Sequence, residues 1–486
     1  MKPFRLRPLL FALMLPATAS YGESLVTIYE QALAYDSGLA AARAAREARE
    51  AGVDEARANL LPQLDAFGES QYSDSTAQDS SYINHQYGLR LSQPLFRANA
   101  WFGYQASQQL DKAAEAELAL SQQELILEVA EHYFDVLRAQ DELDTARAQE
   151  AALRRQWEQA RERYEVGLIA TTAVEEARAG YDASQSQRIA AESQLDIARQ
   201  SLARLTGQYY EELEKLRTDF PVGAPEPNDP ESWTETALMQ NWAIQASRLG
   251  LDAQQEELRA SRSEHYPTLD LQANVTRQHL DEEQFRTQIG DPTQTGGQEI
   301  TRDTRRTDTS IGLSLNVPLY SGGGTSAGVR RVTAETEQAE RDLETTRRNV
   351  RLETRSLFRQ ILTNQQTLSA QRQTIISRRS ALDATRAGYD VGTRNIVEVL
   401  DAEQNYFVAL RDFANARYDY VLNGLRLKQA AGILSPQDLI DLDRWLSAAA
   451  PGIEELARQV AEQEDTNAVE PDPDRPIPSD AVVPVR

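Results

Sequence analysis

Between residues 308 and 317 the chain reads DTSIGLSLNV, changing character at every step. Ile311, Leu313, Leu315 and Val317 fall on one side, and Ser310, Gly312, Ser314 and Asn316 on the other. Residues 268–276 repeat the pattern, with Leu269, Leu271, Ala273 and Val275 opposite Asp270, Gln272, Asn274 and Thr276. Tyr87, Leu89 and Leu91 alternate with Gly88, Arg90 and Ser92. A period of two predicts β-strands. The stretch starting at Leu64 holds a similar place but alternates poorly. Lengths of about 9–11 residues suit tilted membrane strands. An ordinary half-buried sheet has the same period, so the pattern alone leaves both open.

Elsewhere the spacing is helical, with small apolar and charged residues interleaved as in AARAAREAREAGVDEARANLL. The spacing predicts helices over 25–58 and 231–262, very long ones over 99–163 and 325–387, and shorter ones over 172–206 and 395–431. At ~1.5 Å per residue the long runs reach roughly 100 Å and the shorter ones roughly 50 Å. Two short helices end to end would match one long helix, giving two parallel columns of equal height.

The order helix, two strands, long helix, short helix occurs twice. Leu61-Pro62-Gln63-Leu64-Asp65 returns as Tyr266-Pro267-Thr268-Leu269-Asp270, 205 positions on. Ser92-Gln93-Pro94-Leu95-Phe96 returns as Asn316-Val317-Pro318-Leu319-Tyr320, 224 on, and Leu205-Thr206-Gly207 as Ala430-Ala431-Gly432, 225 on. The second copy therefore gains 19 residues between its prolines, as an exposed loop would. The copies span 23–230 and 231–446. Four strands cannot close a barrel. Eight, from two chains, would be filled by side chains, and twelve, from three, would leave an aqueous bore. Prolines 62, 94, 267 and 318 mark strand ends, where a missing donor is tolerated.

Composition narrows the function. The 486 residues carry a formal net charge of −24, which argues against nucleic acid as a partner. The absence of cysteine excludes disulfides, a thiol nucleophile and an N-terminal lipid anchor. MKPFRLRP followed by LLFALMLPATA reads as a signal peptide over 1–22, cleaved after Ala19 or Gly22. Residues 447–486 form a C-terminal segment, Pro- and Asp-rich and expected to be disordered from about 464. Histidines 85, 132, 265 and 279 lack metal-ligand spacing, and SGGGTSAG at 321–328 lacks the Lys-Ser/Thr end of a phosphate loop. No catalytic residue, cofactor or metal site is expected. A structural periplasmic coiled coil remains as an alternative, but it leaves the strands and paired prolines unexplained.

Two breaks interrupt the long helices, at Val166-Gly167-Leu168 and Val391-Gly392-Thr393, 225 positions apart. Glycine suits the left-handed residue that ends a helix. Asn395-x-x-Glu398 fits a capping box, as does Thr172-x-x-Glu175. Capping does not explain Asp401, whose simplest reading is a solvated helix face.

With LPxLD-like strand starts, QPLF and VPLY strand ends, YxVG in both copies, GTRNIVEVLDAE and NARYDYVLNGLRLKQAAG at 415–432, the chain from about Glu23 to Leu446 resembles the TolC family of outer-membrane efflux and secretion ducts. The resemblance implies an α+β membrane protein: a homotrimer with a twelve-stranded barrel in outer-membrane lipid and a periplasmic α-helical barrel. Segments near 209–215 and 435–446 would form a belt around the tunnel. A periplasmic adaptor protein and an inner-membrane transporter would dock at Val166, Gly167, Leu168, Val391, Gly392 and Thr393. Glu398 and Asp401 match the family's acidic entrance positions. Three copies would stack them into rings that favour cations, with mutual repulsion raising some of their pKa values. Tyr389 and Arg394 match the constriction latch, with Gln156 and Thr172 as outer partners. Two departures alter it. Ala173 stands where an aspartate is usual, and Arg386 where an acid is usual. Glu158, Glu162, Glu165 and Glu175 are then candidate partners for Arg386 and Arg394, in a rewired lock of weak links or in a looser closure.

Overall fold

The computed structural model describes residues 23–75, 80–286, 298–448 and 450. The leader at 1–22 and nearly all of the C-terminal segment lie outside them. In chain order the elements are α1 (Leu25–Tyr35), α2 (Ser37–Ala58), β1 (Gln63–Ser75), β2 (Ser80–Phe96), α3 (Ala98–Glu165), α4 (Thr171–Thr206), β3 (Lys215–Leu216), α5 (Pro230–Gln240), α6 (Trp242–Ser263), β4 (Thr268–Arg286), β5 (Gln298–Asn316), α7 (Gly324–Asp390), α8 (Ile396–Ala430), α9 (Pro436–Asp443) and β6 (Leu446–Ser447).

The long helices match expectation closely; the leading ones do not. Each stretch expected as one helix breaks once, at Asp36 and at Asn241. These residues lie 205 positions apart, the offset of the repeat. Each accepts a backbone N–H into its side chain, Asp36 from Leu39 at 2.6 Å and Asn241 from Ile244 at 3.1 Å. Both bonds are those of N-caps, which restart a helix in a new direction.

The strands form one antiparallel sheet, β1-β2-β4-β5. They run 13, 17, 19 and 19 residues, well beyond the 9–11 of the alternating stretches. Polar sequence continues each strand outward past its apolar part. Pro94 lies within β2 rather than beyond it, at a register shift between Pro94 and Phe96. A bulge there tolerates the missing donor. On one face the register aligns Leu64, Leu91, Ala273 and Ile311 in one row and Ala66, Leu89, Val275 and Thr309 in the next. Leu269 and Leu271 pair with Leu315 and Leu313 nearer the helices. β1 belongs to this sheet despite its poor alternation, and its Phe67 lies on the opposite face under the Arg90 guanidinium, 5.2 Å away.

The chain divides into two compact units that cut across the repeats. One comprises Ala40–Ser121 and Gln240–Val350, and so holds the sheet. Among the described residues, the other comprises those up to Leu39, Gln122–Met239 and those from Arg351 onward. In this second unit, Leu25, Ile28, Tyr133, Phe134, Leu202, Leu205, Leu410 and Leu427 are fully or almost fully buried. The two segments expected to form a belt meet there, with β3 pairing antiparallel to β6. Arg417, buried, donates to the carbonyls of Leu216 and Arg217. Tyr418 donates to Asp141 at 2.6 Å, and Lys215 reaches Asp144 at 3.2 Å.

Candidate functional site

Two surfaces stand out: the helix tips of one unit and the apolar face of the sheet in the other. At the tips, α3 and α7 end in the same way. Leu168 N–H bonds to the Arg163 carbonyl at 2.8 Å and Gly167 N–H to that of Tyr164 at 2.9 Å. Thr393 and Gly392 repeat this on Gly388 and Tyr389, at 2.8 and 3.0 Å. These are Schellman motifs, whose left-handed residue favours glycine, and φ is 78° at Gly167 and 80° at Gly392. The motif leaves Val166, Leu168 and Val391 more than 70% exposed.

Past the second tip, Asn395 caps α8 and Glu398 closes the capping box, as the spacing predicts. The first copy differs. α4 begins at Thr171 with Ala170 as its N-cap, which makes no side-chain bond, so the box expected at Thr172 and Glu175 is absent. Ala170 lies 225 positions before Asn395 and has no side-chain acceptor to offer.

The arginines find partners that spacing did not suggest. Arg394 donates to Glu398 at 2.5 Å, and Arg386 to Glu403 at 2.7 Å. Neither takes Glu158, Glu162, Glu165 or Glu175 within the chain. Glu158 and Glu165 are held one turn away on α3, by Arg154 and Arg161. The Arg394 hydrogen bond holds Glu398 below the usual carboxylate range, with the Asn395 N–H helping. Within one chain this is opposite to the increase expected from ring repulsion. Burial pushes Glu403 the other way, against the opposing pull of Arg386 and then Arg155. Asp401 is exposed, and its carboxylate has no hydrogen-bond or ion-pair partner among the described residues.

Tyr389 packs on a cluster of Ala160, Ala177, Ile396 and Val399. Arg163 lies over its ring at 4.7 Å and also bridges to Asp390 at 2.7 Å, linking α3 to α7. Gln156 is half-buried, and Glu162 and Thr172 are exposed. Among the described residues, no hydrogen bond or ion pair joins these three to Tyr389, Arg386 or Arg394. Sequence reasoning missed Arg163, Glu403 and Gly388. A Cβ on Gly388 would lie 2.8 Å from Arg394 Cγ, so glycine there lets Arg394 fold back across α7. A glycine inside a helical run was the only signal.

On the sheet, Ile311, Leu313 and Leu315 are each at least 65% exposed. An ordinary half-buried sheet would cover them. Phe96, Trp101, Tyr266 and Tyr320 lie exposed near the helix-joined ends of the strands, and Tyr72 and Tyr87 further along them. Aromatic girdles of this kind flank the apolar band of membrane barrels. The opposite face carries Asp65, Arg90, Gln272, Asn274 and Arg306, all polar. Among the described residues no helix is long and apolar enough to cross a membrane.

An open sheet with one apolar and one polar face, continuous in sequence with helices of 68 and 67 residues, is the build of an outer-membrane channel subunit. Comparison with known proteins agrees. The chain belongs to the outer membrane efflux protein family, which matches it over 28–208 and 233–433. It is 35% identical over 435 residues to outer membrane protein TolC of Vibrio cholerae, covering 89% of this chain and 96% of that one. It is 29% identical over 450 residues to the proteases secretion protein PrtF of Dickeya chrysanthemi, covering 90% and 94%. Its fold is similar to that of the CusC channel, with a TM-score of 0.72 at 19% identity over 88% of this chain and 99% of that one. It is an outer-membrane protein extending into the periplasm.

Proposed function

We propose that three copies of this chain close a twelve-stranded barrel and serve as a passive exit duct for efflux and type I secretion. A periplasmic adaptor and an inner-membrane transporter would supply cargo and energy, and the duct performs no catalysis. The observation that carries this reading is the four-stranded sheet, with an exposed apolar face and its outer strands β1 and β5 each paired on one side only. Unpaired edges next to lipid are untenable, and joining β5 of one copy to β1 of the next removes them all. The exposed Val166, Leu168 and Val391 then give the adaptor's helices an apolar seat at the tips.

At the entrance, Asp401 carries most of the acidic ring, because Arg394 already neutralises Glu398. Arg386–Glu403 ties α7 to α8, Arg163–Asp390 ties α3 to α7, and Arg394–Glu398 fixes the turn into α8, and together they hold the closed arrangement. Gln156, Glu162 and Thr172 are left to face neighbouring copies, while Tyr389 packs within its own chain. The test is conductance in planar bilayers. A trimer-sized, cation-selective pore is expected, with Asp401→Ala lowering selectivity several-fold more than Glu398→Ala. A water-soluble monomer without pore activity would overturn the duct; equal effects of the two substitutions would overturn only the assignment of the ring.

A further inference from the structure

The unit that holds the belt also holds an open cavity of about 430 Å³. Phe220, Trp233, Ile361, Tyr420 and Trp445 line it. Phe220 stands edge-on to Tyr420 and to Trp445, with ring centroids 6.1 and 5.8 Å apart. These rings already hold one proline-bearing stretch of the chain. Tyr420 Oη donates to the Gly223 carbonyl at 2.8 Å and accepts the Gly223 N–H at 3.0 Å. Trp233 Nε1 donates to the Pro227 carbonyl at 2.9 Å. Gly424, inside α8, belongs to the same wall. Glycine weakens a helix interior, and a close neighbour is the usual reason for it. Gly180 and Gly388 have one: a Cβ there would meet Leu400 at 3.6 Å and Arg394 at 2.8 Å. A Cβ on Gly424 would meet nothing within 4 Å, so its missing side chain leaves the cavity open.

The chain passes out of the described residues close by. Ala450 lies five positions past Trp445, at most about 18 Å from it. After 20 more residues comes PDPDRPIP, from Pro471 to Pro478. Proline fixes the backbone near polyproline II, and Pro473 and Pro476, three apart, share one face of that helix. Aromatic-lined grooves accept such segments because little entropy is lost on docking. The rim of the cavity agrees in charge. Asp438 pairs there with Lys428 and Asp441 with Arg444, while Glu226 has no hydrogen-bond or ion-pair partner among the described residues. Arg475, between the prolines, can supply one. A tether of 20 residues reaches roughly 25 Å. It gives an effective concentration on the order of millimolar, so weak contacts suffice.

We infer that residues 471–478 of the C-terminal segment dock in this cavity, with their prolines on the aromatic rings and Arg475 against Glu226. The segment is thereby strapped to the belt. Nothing in this inference depends on the chain forming a duct.

The test uses the full-length protein. The chain has no cysteine, so Ser479→Cys takes a bimane label at a single place. Tryptophan quenches bimane on contact, and Trp233 and Trp445 line the cavity. The labelled protein should be dim. Pro476→Gly with Pro478→Gly should brighten it severalfold, because glycine loses the preset backbone. Gly424→Leu should do the same by filling the cavity, with the unfolding midpoint unchanged or raised. Gly250→Leu, at an equally open glycine inside α6, should leave the label dim. A bright label in the parent protein overturns the inference, whether the cavity stands empty or a second copy covers it. Quenching that survives Gly424→Leu in a normally folded protein also overturns it, by placing the segment against another tryptophan. Should Gly424→Leu fail to fold, the two proline substitutions decide, and quenching that survives them is equally fatal.

Discussion

The belt and the tips belong to one compact unit and use the same residue types to opposite ends. At the belt, Arg417 and Tyr418 are buried, and their bonds run to main-chain carbonyls and to the buried Asp141. At the tips, Arg394 and Asp390 stand exposed and their partners Glu398 and Arg163 partly exposed, paired side chain to side chain. Buried polar groups are costly to separate because nothing replaces the lost partner. Exposed pairs separate easily because water does. The belt is thus built to hold one arrangement, and the tips, on the function proposed above, to be shifted by a docking partner at modest cost.

The sharpest way to break this contrast is Arg417→Ala. It strands the carbonyls of Leu216 and Arg217, and leaves Lys215 as the cation beside Asp141. A loss of about 1–3 kcal/mol for each stranded carbonyl is expected. Denaturant unfolding of the purified protein measures it; a loss no larger than that of Arg163→Ala at the tip would remove the distinction. Tyr418→Phe is milder. It keeps the ring packed at a tilt beside Phe134 but takes one hydrogen bond from Asp141, at a cost of about 1–3 kcal/mol.

Much of the architecture was legible because it rests on period. The helix ends near 165, 206, 390 and 430, and the capping box at Asn395 and Glu398, follow from spacing and local chemistry. What failed depends on partners far apart in sequence, or on caps without a following signal. Nothing periodic marks Asp36 or Asn241 as breaks, since helical spacing continues through both. The outer parts of the strands are mostly polar in sequence, with scattered apolar residues such as Tyr72 and Ile83, so alternation could not reveal them. Arg386 meets Glu403 across a hairpin, 17 positions away, and only the winding of α7 on α8 decides that match. Thr172 and Glu175 satisfied a pattern whose true capping position, two residues earlier, is an alanine.

That alanine offers a smaller test. Ala170 already has the extended backbone of an N-cap, with φ −78° and ψ 155°, and lacks only the acceptor. Ala170→Asn should therefore stabilise the start of α4 by about 1 kcal/mol, read as slower hydrogen exchange in its first turn. No change there would mean that the tip is held by contacts other than its caps.

The smallest stability effects, and the most informative about gating, come from pH. Glu398 lies below its ordinary pKa because Arg394 and the Asn395 N–H favour its charged form. Its contribution is present above the unfolded pKa and is lost only as pH falls through the lower folded value. Glu403 lies above its ordinary pKa because burial disfavours its charge. Its ionised form costs stability at neutral pH, and that cost is relieved as pH falls through the raised value. Acidification from neutrality therefore neutralises Glu403 first and releases Arg386, while Arg394 stays on Glu398 to lower pH. Single-channel conductance should rise in two steps, the first above the ordinary glutamate range and the second below it. Glu403→Gln should abolish the first step and Glu398→Gln the second, with little change in unfolding by either. A single step surviving both substitutions would place the lock elsewhere, most directly on Arg163 and Asp390, where guanidinium, carboxylate and the Tyr389 ring already meet.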